Sequence, residues 1–161
     1  GNITTNGYLE NTSNYAFYSI SGNQNMTGTS HLASFQTSTL QTSLVTKTSN
    51  SRYTINRAGY YRIISSLHTE NTSINDRVCF RGLFLKNGSE DNIWSSDAFS
   101  YTRDNDFGDF ETCPLQGVLE LAVNDYIEVE LTIKRGSGGF GGDMTGTQIR
   151  VRSNLTFQYL G

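Results

Sequence analysis

The chain has 161 residues and a formal net charge of −3, with 35% hydrophobic, 12% aromatic and only 17% charged residues. That length suits one domain core, and the acidic balance leaves no broad basic field to neutralise phosphates, so nucleic acid is not an expected partner. No stretch reaches the roughly 20 apolar residues that span a bilayer, so no membrane insertion is expected, and the opening Gly1-Asn2-Ile3-Thr4-Thr5 lacks the basic and apolar regions of a signal peptide.

An opening without Met reads as a processed or excised chain, so the missing signal does not fix a compartment. Residues 1–14 form a polar tract, ending Asn11-Thr12-Ser13-Asn14, that reads as an arm or linker ahead of one domain over 15–161. Strands are predicted over 15–20, 31–36, 40–46, 53–55, 60–68, 78–85, 93–101, 117–123, 126–134, 148–151 and 155–160. No run reads as a helix of about ten residues or more. The clearest alternation lies in 126–134, where Ile127, Val129, Leu131 and Ile133 fall on one face and Glu128, Glu130, Thr132 and Lys134 on the other. Asn87-Gly88, Asn124-Asp125 and Ala58-Gly59 mark turns between apolar runs. Residues 135–146, dense in glycine, read as a mobile loop. Many short antiparallel strands joined by polar turns imply an all-β sandwich or jelly roll.

Chemistry-bearing patterns are sparse. His31 and His68 sit in separate strand runs without metalloprotease spacing and read as surface or rim residues. The glycine-rich loop lacks the Gly-Lys-Ser/Thr ending of a phosphate loop. Cys79 and Cys113 match no zinc or redox spacing; they can pair across neighbouring strands or stay as buried thiols. The acidic cluster 104–111 offers Asp104, Asp106 and Asp109 as oxygen ligands around Gly108, the makings of a calcium loop. Its glycine comes early and the closing bidentate Glu is missing, so a solvated loop with Phe107 and Phe110 tucked inward fits better.

Sequons at Asn2, Asn11, Asn25, Asn71, Asn87 and Asn154 support glycosylation only weakly in a chain this rich in Asn, Ser and Thr. Tyr8, Tyr15, Phe17, Tyr18, Trp94, Phe99, Tyr101 and Phe140 could present aromatic rings to a ligand. Trp94, Tyr101 and Phe140 are the ligand-contacting candidates.

Four pieces in series resemble C1q-like domains: Tyr53 through Ile63 with Gly59 before an aromatic strand, Val78 through Gly88 ending Lys86-Asn87-Gly88, the leucine-rich 117–131, and the closing aromatic strand 155–160. The proline usual before the turn glycine and a collagen-like stalk are missing, and Gln158 stands where the family often has a small residue. The resemblance to the C1q and tumour-necrosis-factor (TNF) jelly roll implies ten antiparallel strands and a compact homotrimer assembled through aromatic and aliphatic faces. It also implies a recognition head without enzymatic activity, of the kind found on bacteriophage fibres and capsid decorations. On that reading the chain sits on a virion surface beside other virion proteins and contacts a host-surface receptor or glycan through loops 95–111 and 136–146. The alternatives are a secreted, extracellular C1q-like recognition domain and a structural jelly-roll capsid subunit. A carbohydrate-active enzyme would need two carboxylates facing each other across a cleft.

Overall fold

Alternating apolar residues decide which face of each strand turns inward. A computed structural model of the chain describes residues 14–40, 43–72, 77–90, 98–102 and 110–161. Among them run β1 (Tyr15–Ser19), β2 (Gln24–Met26), β3 (His31–Leu32), β4 (Thr37–Leu40), β5 (Val45–Lys47), β6 (Tyr53–Ile55) and β7 (Gly59–Asn71). They are followed by β8 (Val78–Lys86), β9 (Ser89–Glu90), β10 (Ala98–Thr102), β11 (Phe110–Leu121), β12 (Tyr126–Arg135), β13 (Thr147–Ile149) and β14 (Asn154–Tyr159). All pairings are antiparallel, in two seven-stranded sheets, so the all-β antiparallel sandwich expected from the sequence is the fold observed.

In the first sheet β7 carries β11 along one edge and β14 followed by β13 along the other. β1 and then β4 lie beyond β14, and β2 beyond β13. The second sheet runs β10-β8-β12-β6-β5, with β3 on β12 and β9 on β8. Fourteen described strands replace the ten implied by resemblance, because several are two- or three-residue pieces of interrupted strands.

Of the predicted strand over 31–36 only His31–Leu32 is strand. β3 pairs with β12 of the second sheet and β4 with β1 of the first, so the chain crosses between sheets at 33–36. The crossing is stable because Ala33 and Phe35 are fully buried and the Tyr53 hydroxyl satisfies the irregular backbone. It donates to the Phe35 carbonyl at 2.7 Å and accepts from the Phe35 N–H at 2.9 Å. β11 starts seven residues before the predicted 117, running through Pro114. Proline is tolerated there because, among the described residues, β11 pairs only with β7 and is an edge strand. Of the strand predicted over 93–101, residues 98–101 are described, and they lie in β10, which runs on to Thr102.

The core is aromatic. Tyr18 packs on Tyr53 at a 4.7 Å ring separation, and both meet Phe157, at 6.4 and 6.1 Å, which ties the two sheets together. Ile127, Val129, Leu131 and Ile133 all face inward, as the alternation predicts. The opposite face of β12 is less wet than expected: Glu128 is buried, with Arg52 Nε 3.4 Å from its carboxylate.

Burial raises the pKa of Tyr18 and Tyr53, and burial with the charge of Tyr159 pushes Tyr61 up to about 12. The folded state therefore holds these protons more tightly than the unfolded chain, whose tyrosines ionise near pH 10. Their contribution to stability is full below about pH 10 and fades as pH rises towards 12. The urea unfolding midpoint is expected to fall across that window, with the tyrosinate absorbance of Tyr18, Tyr53 and Tyr61 appearing together with unfolding rather than before it.

Gly59 takes φ +146°, and a Cβ there would lie 2.6 Å from both the Gly161 carbonyl oxygen and Tyr159 Cε2. Only glycine lets the closing segment lie against this turn, where the Tyr60 N–H donates to Gly161 O at 2.8 Å. Gly59→Ala is expected to cost about 1–3 kcal/mol, read as a lower thermal midpoint.

Candidate functional site

The two termini of the described chain share one end of the sandwich. Tyr15 pairs with Gln158, and the Leu160 N–H donates to Tyr60 O at 2.8 Å. At the opposite end Val78 lies beside Thr102 and Arg135, and the Thr72 N–H donates to Gly146 O at 2.7 Å.

Near that far end the outer face of the second sheet gathers side chains from three strands. Register places Tyr101 of β10 beside Cys79 of β8, and Cys79 beside Lys134 of β12. The next row, two residues along, holds Phe99, Arg81 and Thr132. Adjacent strands are about 4.8 Å apart, so Tyr101 and Lys134 flank Cys79 across about 10 Å. Arg77, Cys79, Tyr101, Lys134 and Gly136 line a half-open pocket of about 340 Å³. Beside it the Phe140 ring packs on Phe99 with centroids 5.6 Å apart. Exposures of 54% for Phe99, 46% for Tyr101 and 40% for Phe140 are large for aromatic rings, and they make this corner an apolar platform open to solvent.

The glycine-rich loop that carries Phe140 is tied to the body of the fold at several points. Arg135 Nε donates to Asp143 O at 2.9 Å and its Nη2 to Thr145 O. Gly141 and Gly142 N–H groups both donate to Ile133 O at 3.0 Å, and Met144 is fully buried. Asp143 accepts from the Thr145 N–H and hydroxyl, which lowers its pKa. Composition could not anticipate an arginine anchoring carbonyls eight to ten residues away.

Of the ligand-contacting candidates, Tyr101 and Phe140 reach this one face, joined by Phe99. Trp94 lies outside the described residues, as do Asp104, Asp106 and Asp109 of the calcium reading. Among the described residues no three His, Cys, Asp or Glu groups gather as a metal site. Phe99 and Tyr101 share a face by simple alternation, and Lys134 already stood on the outer side of its strand. Nothing in the sequence placed Arg77 and Cys79 beside them, because that needs the pairing of β8 with both β10 and β12.

Cys79 and Cys113 are both free thiols, which settles the alternative left open by spacing. Burial pushes the Cys79 thiol up against the opposing pull of Lys134, and it pushes Cys113 up to about 11. Protonated thiols are weak nucleophiles, so the corner offers contact rather than covalent chemistry. His31 is more enclosed than a rim residue, with Nε2 buried and a pKa lowered by burial, because it faces inward opposite Leu131. Asn71 is buried and Asn87 is held by Asp125 and the Tyr126 N–H, which makes both poor glycan acceptors.

A second surface lies on the outer face of the first sheet. Its rows across β1, β14, β7 and β11 are Tyr15-Gln158-Arg62-Val118, Phe17-Thr156-Ile64-Gln116 and Ser19-Asn154-Ser66-Pro114. Arg62 alone among these twelve positions is charged. Val118 is 55% exposed, and Tyr60 and Leu160 extend the apolar surface towards the terminal end at 51% and 50%.

No family model and no curated protein sequence matches this chain. Solved structures do. Murine APRIL at pH 5.0 superposes with a TM-score of 0.58 at 11% identity, over 91% of this chain and 98% of that one. Murine APRIL at pH 8.0 gives 0.57 at 11% identity, over 91% and 99%. Rabbit GITRL reaches 0.49 at 16% identity, over 91% and 93%. The fold is a TNF-like jelly roll. At such identities the likeness is one of backbone architecture. Within the TNF-like jelly roll of this chain, the aromatic corner lies away from the termini and the uncharged face covers the middle of the first sheet.

Proposed function

We propose that this chain is a non-enzymatic recognition head that assembles as a homotrimer through the outer face of its first sheet and contacts an external receptor or glycan through the far end. The observation that carries this reading is that outer face itself. A lone protomer would leave Tyr15, Phe17, Ile64 and Val118 on a broad, almost uncharged sheet surface facing water, which sister subunits would cover. Residues 1–14 then serve as an arm or linker at the terminal end, and the aromatic corner points away from the attachment.

We place the head on a virion surface, as a fibre head or capsid decoration among other virion proteins. Two free thiols and no disulfide among the described residues suit that placement better than a disulfide-stapled secreted domain. Contact would come from shape, aromatic stacking and hydrogen bonds. Light scattering on the purified chain at micromolar concentration is expected to give three times the 17.9 kDa chain mass. A single-chain mass would overturn the trimer, and large closed shells would make the chain a capsid subunit instead.

A further inference from the structure

We propose that the pocket bounded by Arg77, Lys134 and Tyr101 is a subsite for one anionic sugar unit of a glycan, whose carboxylate or sulfate sits between the two cations while its ring lies on Tyr101. This names the ligand class for the recognition site above and rests on that reading.

Charge argues for it first. On a chain of net charge −3 the charged residues lining this pocket, among the described residues, are Arg77 and Lys134. Arg52, Arg81, Lys86 and Arg150 each face a carboxylate, whereas neither Arg77 nor Lys134 forms an ion pair among the described residues. Two cations without an ion pair among the described residues, flanking one concavity, attract an anion, and arginine in particular offers a fork matched to carboxylate or sulfate oxygens. The floor does not oppose this, since the Cys79 thiol stays protonated at neutral pH.

Shape argues for a sugar. At about 340 Å³ the pocket is near the lower end of the range for small-ligand sites, room for a single ring rather than a folded peptide element. The Tyr101 ring is a flat apolar wall with a hydroxyl at its tip, the combination that takes the C–H face of a pyranose and still hydrogen-bonds its substituents. A Cβ on Gly136 would meet nothing within 4 Å, so the rim stays open for the rest of a chain. The Phe99 and Phe140 pair beside it offers a second stacking surface for the next unit.

The test titrates the native protein with lactose, sialyllactose, sulfated lactose and an oligoglutamate peptide, with native mass measured on every variant. The expected result is that sialyllactose, sulfated lactose or both bind at least about tenfold more tightly than lactose and the peptide, with affinity falling as salt rises. The double variant Arg77→Ala/Lys134→Ala is expected to lose that preference, about tenfold or more, without change in mass or thermal midpoint. Tyr101→Ala should weaken all sugars while Tyr101→Phe retains most of the binding. Which anionic sugar binds separates carboxylate from sulfate. Equal binding of lactose, or tighter binding of the peptide, would overturn the anionic-sugar assignment. So would no binding by a protein of three-chain mass, a result that leaves the recognition head standing. Anionic binding by a single-chain protein would uphold the subsite and overturn the trimer.

Discussion

Tyr53→Ala is expected to leave the chain largely unfolded at room temperature. Tyr53 is fully buried, its ring touches Tyr18, Phe35 and Phe157, and its hydroxyl satisfies both backbone groups of Phe35 where the chain crosses between sheets. Removing the ring opens a cavity at a cost of about 3–5 kcal/mol. Leaving the buried Phe35 N–H and carbonyl without partners adds about 1–3 kcal/mol. Together these rival the lower part of the 5 to 15 kcal/mol, roughly, that holds an ordinary domain folded. Tyr53→Phe keeps the ring and loses only the hydrogen bonds, so it should cost about 1–3 kcal/mol and fold. Urea titrations followed by circular dichroism distinguish the two. Equal destabilisation by both variants would mean that packing contributes little at this position.

Ile64→Arg, with Val118→Arg as a second variant, is expected to convert the assembly to single chains while leaving the protomer folded. Both residues lie on the outer face of the first sheet, where a charge meets water in a free protomer and costs its fold little. Buried against a sister subunit, the same unpaired charge costs about 3–5 kcal/mol, a loss of more than about a hundredfold in association. Light scattering should report the 17.9 kDa chain mass for the variants and three times that for the parent. An unchanged mass would move the interface elsewhere. Lys134→Ala, on the opposite sheet, should leave the mass as it is.

The sequence by itself determined that β7, β8, β12 and β14 are strands and which way their side chains point. Ile127, Val129, Leu131 and Ile133 face inward because the period of two is a property of each strand's own backbone. Turn chemistry is equally local: Asn87 and Gly88 take φ of 54° and 78°, and Asn124 takes 72°, conformations that Asn and Gly reach at low cost. Tyr101 and Phe140 were legible as candidates because aromatic rings on a strand and on a glycine loop are visible residue by residue.

Only the tertiary structure decided which strands lie side by side, and with that the site. Tyr101, Cys79 and Lys134 come from β10, β8 and β12, and their meeting depends on pairing and register between segments far apart in the chain. The same holds for the crossing at 33–36, which no local preference announces because the Tyr53 hydroxyl that stabilises it is eighteen residues away. It holds again for the glycine-rich loop, whose carbonyls at Asp143 and Thr145 accept from Arg135, a contact its composition does not announce. Local conformational preference is encoded within a few residues, whereas long-range pairing is selected by the whole buried surface at once, and recognition surfaces are built from the second.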